Sequence, residues 1–274
     1  MAANGTNPSK KIVLGVGVST TSYQEVVDTC SRWAEERRAA SGAAPLAARY
    51  VCVTSVHGIV LSVLDPELRG VFNRADVITP DGVPLVWALR SFGARSQQRV
   101  YGPNLMLELC ARSERSGYRI FLYGGRQEAL DLLTNNLRRR FPNLAIVGTY
   151  SPPFRPLTPA ETEEIARRIR ESGAEFVFVG LSTPKQDRWM AQVRGLLPET
   201  TLFGVGAAFD FHAGTLRQAP AWMQRHGLEW LFRLAMEPKR LWKRYVLVTP
   251  IFLPLWGLQK LGILRYQPSD TARA

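Results

Sequence analysis

Cysteine is scarce in this chain. There are three in 274 residues, Cys30, Cys52 and Cys110, far apart and odd in number. Such a set argues against a disulfide framework and fits a reducing compartment. Metal-ligand spacing is missing as well. His57, His212 and His226 are dispersed, and no Asp-x-Asp pair stands ready to hold a divalent ion on a diphosphate. Phosphate charge would have to be met by Lys, Arg and helix N-termini, so neither a metal nor a cofactor is expected. Long apolar runs are absent too. The nearest to a membrane span, Val246–Leu258, is short and contains Pro250 and Pro254, whereas a spanning helix needs roughly 20 apolar residues. The first apolar run, Ile12–Val18, is short for a signal-peptide core and is followed by polar residues. A cytoplasmic, membrane-peripheral protein is expected.

Acidic residues are outnumbered. Lys and Arg total 35 against 23 Asp and Glu, a net charge of +12. That surplus favours an anionic partner: nucleic acid, anionic lipid or a phosphorylated substrate. Its placement is uneven. Between Arg217 and Arg265 nine basic residues face two acidic ones, so over half the excess lies in the last fifth of the chain. Otherwise the composition is that of a globular protein, with 46% hydrophobic and 21% charged residues. The length suits one large domain, or one domain with an appendage. Flexible ends are expected at 1–10 and 268–274, where small and polar residues dominate.

Short apolar runs alternate with helical patterns. Strands are predicted at Ile12–Val18, Tyr50–Thr54, Asp76–Thr79, Arg119–Tyr123, Ala145–Gly148, Phe176–Leu181 and Leu202–Val205. Most are continuous Val, Ile, Leu and Phe, as in strands covered on both faces. Helices are predicted at Tyr23–Ala40, Pro84–Phe92, Leu105–Ser116, Glu128–Phe141, Ala160–Glu171 and Gln186–Leu196. Thr158-Pro159-Ala160-Glu161 carries an N-cap, a first-turn proline and a capping-box glutamate, and Asp65-Pro66-Glu67 opens a shorter helix similarly. The alternation implies βαβ units and a Rossmann-like α/β fold, with a mainly parallel sheet and helices on both faces. It occupies 11–228, followed by a basic, aromatic-rich appendage over 229–267.

Sites in such sheets lie at the carboxyl ends of the strands. Thr79-Pro80-Asp81-Gly82 puts a carboxylate there, where Asp81 could serve as a general base or simply cap the next helix. Gly124 and Gly125 end another strand, suiting either a phosphate cradle or a plain tight turn. Lys185 and Gln186 open a helix. A lysine opposes the helix dipole unless an anion sits there; otherwise it is a solvated side chain. Asp210 lies between Phe209 and Phe211 after Gly206, and a sheltered carboxylate needs a partner, either a ligand or backbone N–H groups. A structural or exposed role suits His57 better than a site role.

The C-terminal region has a different texture. On one continuous helix Arg233, Arg240 and Arg244 would share a basic face, and Trp230, Leu234 and Leu241 an apolar one. A basic amphipathic helix followed by a non-spanning apolar run suits an anionic membrane surface better than a solvated helix face.

Taken in order, the motifs resemble the WecG/TagA/CpsF family of bacterial glycosyltransferases from about Tyr50 to Tyr245. The motifs are Asp65-Pro66-Glu67-Leu68, Thr79-Pro80-Asp81-Gly82, Arg99-Val100-Tyr101-Gly102, Leu122-Tyr123-Gly124-Gly125, Pro184-Lys185-Gln186, Phe209-Asp210-Phe211-His212-Ala213-Gly214, Ala219-Pro220-Ala221-Trp222-Met223-Gln224, Gly227-Leu228-Glu229-Trp230 and Glu237-Pro238-Lys239-Arg240. The resemblance implies metal-independent inverting transfer of a hexose-type sugar from a UDP-sugar to a polyprenyl-diphosphate-linked saccharide, for a cell-surface polysaccharide. It implies Asp81 as base, and Thr54, Ser55, Gly82, Asn104, Gly124, Gly125, Lys185, Gln186, Gly206 and Asp210 around the substrate. It implies docking of the appendage on the cytoplasmic face of the inner membrane, with Arg217, Arg233, Arg240 and Arg244 toward acceptor and lipid. Self-association is compatible with it. Departures from the usual pattern at Ser55, Asn104, Ser182, Asp187, Ala207 and Gln218 bear on which sugar is taken.

Three other readings stand beside this one. A nucleotide-dependent oxidoreductase lacks its fingerprint, because Gly15-Val16-Gly17-Val18 is not followed by a third glycine. A non-catalytic membrane adaptor with a nucleotide pocket would survive loss of Asp81. Nucleic-acid binding is disfavoured because the basic region is joined to an apolar tail rather than a stacking platform.

Overall fold

The apolar runs that the sequence marks as doubly covered do form a parallel sheet. The computed structural model describes residues 7–40 and 47–266; most of the ends expected to be flexible, 1–10 and 268–274, fall outside them. The chain begins with β1 (Lys10–Val13), β2 (Val16–Ser19), α1 (Tyr23–Ala39), β3 (Arg49–Thr54), α2 (Val56–Leu64), α3 (Pro66–Asn73), β4 (Val77–Pro80) and α4 (Val83–Ser91). It continues with α5 (Gly102–Ser116), β5 (Ile120–Gly124), α6 (Gln127–Arg140), β6 (Ile146–Tyr150), α7 (Pro159–Ser172), β7 (Phe176–Gly180), α8 (Lys185–Val193), β8 (Thr201–Gly204) and α9 (Ala208–Ala213). It ends with α10 (Ala221–Arg225), α11 (Glu229–Met236), α12 (Pro238–Trp242), a distorted helical stretch over 243–251, and α13 (Phe252–Lys260).

Six strands run parallel in the order β4-β3-β8-β7-β5-β6. Two apolar layers cover the sheet. One includes Val26, Trp33, Leu105, Leu109, Leu130 and Phe209, from α1, α5, α6 and α9. The other includes Ile59, Phe72, Leu85, Ile165, Trp189 and Met190, from α2, α3, α4, α7 and α8. The caps read from sequence are present. The Thr158 hydroxyl accepts from the Glu161 N–H, the Glu161 carboxylate accepts from the Thr158 N–H, and Asp65 accepts from the Leu68 N–H.

Two expectations about local structure fail. Ile12–Val18 is not a strand of the main sheet but the antiparallel hairpin of β1 and β2. Its turn residues, Leu14 (φ 49°) and Gly15 (φ 84°), are both left-handed, the geometry that a two-residue hairpin needs and that strand twist favours. The first strand of the parallel sheet is β3, so a dinucleotide fingerprint would follow Thr54 rather than Val18. The single basic helix of the C-terminal region does not form either. It breaks at Glu237-Pro238 (Glu237 φ −133°, ψ 56°), because proline disfavours a helical residue before it. Arg233 lies on α11, Arg240 on α12 and Arg244 in the stretch beyond.

The C-terminal segment packs back on the body. Phe252 and Leu241 are buried, and Trp256 donates from its indole nitrogen to Ser91 Oγ. The Gln259 amide clamps the hairpin turn, accepting from Leu14 N–H and donating to Ile12 O, both at 2.9 Å. Part of its cover is α2, whose near-continuous apolar sequence shows no amphipathic period to read. Among the described residues no helix is long and apolar enough to cross a membrane.

Candidate active site

Each strand of the parallel sheet ends on the same edge, so the loops after Thr54, Pro80, Gly124, Gly180 and Gly204 share one crevice. Asp81 follows β4 directly, and its N–H donates to Thr54 O at 2.9 Å. Arg99 clamps it twice. The guanidinium Nε donates to Asp81 O, and Nη2 donates to Asp81 Oδ1 at 3.2 Å. The same Nη2 donates to Glu229 Oε2 at 2.8 Å, and Tyr101 donates its hydroxyl to Glu229 Oε1 at 3.0 Å. Arg99 also lies over the Tyr101 ring, 4.1 Å from its centroid. Asp81 keeps 24% of its side chain open to solvent.

The electrostatics follow from burial and from these neighbours. Loss of water raises the Asp81 carboxyl above its ordinary value. Arg99 opposes the rise, Glu229 adds to it, and Arg244 opposes it more weakly. For Arg99, burial alone would ease the proton off, but Asp81 and Glu229 hold it on more firmly than usual. Arg244 is desolvated, which lowers its proton affinity, and its Nη2 donates to Ser55 Oγ at 3.1 Å. His57, in the first turn of α2, is pushed down to about 3 by burial and then by Arg244, so it is a neutral imidazole at physiological pH. Its Nδ1 is buried without a hydrogen-bond partner.

Ser55, Gly82, Asp81 and Arg244 therefore come together. A Cβ on Gly82 would stand 3.4 Å from Ser55 Cβ. Thr54 and Gln186 are buried, at 1% and 2% exposed. Each has a buried oxygen without a partner, Thr54 Oγ1 and Gln186 Oε1. Gln186 lies against Gly204 and Gly206. Asn104 is exposed on the first turn of α5, beside the Tyr23 hydroxyl.

Gly124, the last residue of β5, and Gly125 after it differ in role. A Cβ on Gly124 would stand 2.8 Å from the Gly180 backbone, so its small size serves the close approach of β5 and β7. Gly125 would meet only the Phe209 ring at 3.8 Å and faces the open crevice. Lys185 is exposed at the first position of α8. Asp210 closes the turn after α9: its carbonyl accepts from the Thr215 and Leu216 N–H groups, and its carboxylate lies 3.4 Å from Thr215 Oγ1.

The C-terminal arginines divide. Arg233, 13% exposed, lies over the Phe211 ring at 5.6 Å and has a buried Nε with no partner. Arg244 points inward, as described. Arg240 is exposed and paired with Glu237 at 2.6 Å. Arg217 is exposed. The other two histidines have structural bonds, His212 Nε2 with Pro103 O at 2.9 Å and His226 Nδ1 with Trp222 O at 2.7 Å.

The sequence model of the glycosyl transferase WecG/TagA/CpsF family matches residues 11–265. The chain belongs to that family. This glycosyltransferase, a hexosyltransferase by class, is 30% identical over 213 residues to the N-acetylglucosaminyldiphosphoundecaprenol N-acetyl-beta-D-mannosaminyltransferase of Bacillus subtilis (strain 168), covering 74% of this chain and 81% of that one. It is 31% identical over 180 residues to the enzyme of the same name from Bacillus spizizenii, covering 66% and 68%. Family membership sets aside the oxidoreductase and adaptor readings.

Sequence reasoning did not single out Arg99, Tyr101 or Glu229 as site residues, and marked Asp187 only as a departure from the family pattern. The first three stood in family motifs, but only packing brings positions 99 and 229 together. Asp187 had a local signal. It precedes the buried Met190 by three residues, which puts the two on neighbouring positions of one face of α8.

Proposed function

We propose that this transferase catalyses inverting transfer of a hexose-type sugar from a UDP-sugar to a polyprenyl-diphosphate-linked saccharide. The observation that carries the proposal is the Asp81 carboxylate, solvent-accessible at the crevice and fixed by Arg99 through its backbone and side chain. Asp81 takes the proton of the acceptor hydroxyl while that oxygen attacks the anomeric carbon. The bond from that carbon to the diphosphate breaks on the opposite face, and its electron pair leaves with UDP. Burial raises the carboxyl toward working pH, which suits a general base. The relatives' name supports the acceptor class and makes an N-acetylmannosaminyl group the first donor sugar to test.

Gly125, Lys185, Gly206 and Asp210 border the donor side of the crevice; Thr54, Gln186 and Gly124 are buried. Arg233 and Arg244 are partly desolvated guanidiniums with unsatisfied Nε groups, which suits them to the diphosphates of donor and acceptor. The C-terminal segment exposes Trp242, Val246, Leu247, Leu253, Leu261 and Ile263 among Lys239, Arg240, Lys243 and Lys260. Apolar side chains within a basic surround match the cytoplasmic leaflet of a bacterial membrane, where the lipid-linked acceptor lies.

The test is Asp81→Asn assayed with a panel of UDP-sugars and a synthetic lipid-linked acceptor. kcat should fall roughly 10²–10⁴-fold, the usual scale of general-base catalysis, with UDP affinity nearly unchanged. Near-normal turnover in the folded variant would refute the assignment.

A further inference from the structure

The Arg99 guanidinium serves two carboxylates. Its Nη2 bonds Asp81 Oδ1 and Glu229 Oε2, and the bond to Glu229 is the shorter, 2.8 Å against 3.2 Å. The two carboxylate oxygens share one nitrogen, so they lie no farther apart than those two bonds laid end to end. At that separation, with both side chains largely out of water, the Glu229 carboxylate raises the affinity of Asp81 for a proton. Glu229 is not a stray surface acid. It is buried, both of its oxygens are bonded, and Tyr101 fixes the second. Its backbone is fixed as well. Gly227, two residues before it, is left-handed (φ 72°), and a Cβ there would stand 3.3 Å from Val83, two residues beyond Asp81.

A carboxylate that only pinned the C-terminal segment would need no second bond partner and no place beside the catalytic one. The groups facing Asp81 are Tyr23 from α1, Arg99 and Tyr101 from the loop and turn before α5, Glu229 from α11, and Arg244 from the stretch after α12. Two carboxylates thus balance two guanidiniums. Without Glu229, two positive charges would bear on Asp81 alone, and a carboxylate so neutralised is a poor proton acceptor.

Resting on the reading of Asp81 as the base, we propose that Glu229 is its positioning and tuning residue. Glu229 draws Arg99 partly onto itself, which leaves Asp81 oriented by that arginine yet basic enough to take the acceptor's proton.

The full chain is tested as Glu229→Gln, Glu229→Asp and Asp81→Asn, with kcat and KM measured from acid to neutral pH and a thermal melt for each variant. Glu229→Gln keeps the shape and an acceptor for Arg99 but loses the charge. Its acid limb in kcat should move down by roughly one pH unit, and its plateau kcat should fall about three- to tenfold, with donor KM within about twofold. Glu229→Asp keeps the charge and should hold the limb near the wild-type position. An unmoved limb in Glu229→Gln, with Asp81→Asn inactive, overturns the tuning role and leaves Asp81 as base. A limb displaced equally in Glu229→Asp also overturns it, since charge would then not be the cause. Turnover in Asp81→Asn overturns the base itself, and the tuning role with it.

Discussion

Replacing Asp187 by asparagine should change how stability depends on pH in a way that isolates one buried carboxyl. Asp187 is fully buried in the first turn of α8. Neither carboxylate oxygen has a partner in good hydrogen-bond geometry. Burial pushes its carboxyl from the ordinary 3.8 up to about 6, although Thr183 and Cys52 approach closely enough to oppose the rise. The folded state therefore holds this proton more tightly than the unfolded chain does. The associated stability is fully present below about pH 4 and is lost as pH rises toward about 6; above that no further change comes from this group. Two pKa units correspond to at most about 3 kcal/mol. For a chain of this size that is roughly 5–10 °C in Tm. The substituted asparagine cannot ionise, and whatever its amide costs or gains in packing does not vary with pH. The assay is thermal unfolding of both proteins from pH 4 to pH 8, read as wild-type Tm minus variant Tm. That difference should fall by several degrees across the window and then level off. A flat difference would show that Asp187 is either solvated or properly bonded, and the argument from burial would be wrong.

Gly124 and Gly125 should separate by packing: Gly124→Ala, forced into the Gly180 backbone at φ 121°, should lose about 2–4 kcal/mol in urea unfolding, whereas Gly125→Ala should lose only about 1 kcal/mol for its left-handed φ; equal losses would refute the distinction. For membrane docking, truncation is a poor probe because Phe252 and Leu241 are buried and Gln259 clamps the hairpin. The surface variant Val246→Ser/Leu247→Ser/Leu253→Ser should keep its Tm but float less with anionic liposomes. High salt should release the wild type, since each Lys or Arg near such a surface contributes up to about 1 kcal/mol. Unchanged flotation of the variant would remove this face from the docking model.

The sequence by itself determined the parallel α/β layout and the edge on which the site lies. Short apolar runs such as Phe176–Gly180, bounded by turn residues and alternating with capped helices, suit doubly covered strands, and capping boxes such as Thr158–Glu161 are local hydrogen-bond chemistry. Asp81 and the loops of the crevice could be named for the same reason, because strand ends are one-dimensional features. The hairpin escaped the reading, since Leu14 adopts a left-handed φ in a turn clamped by Gln259, some 245 residues away. The three C-terminal arginines were read onto one helix face, because periodicity cannot weigh the break at Glu237-Pro238 against a continuous basic stripe. Only the tertiary structure decided that Thr54 and Gln186 are buried with unpartnered oxygens, and that Arg99 is shared between Asp81 and Glu229. Charge balance around a buried carboxylate depends on distances of a few ångströms between residues well over a hundred positions apart. Sequence spacing carries no information about such distances until the sheet and the C-terminal segment have packed.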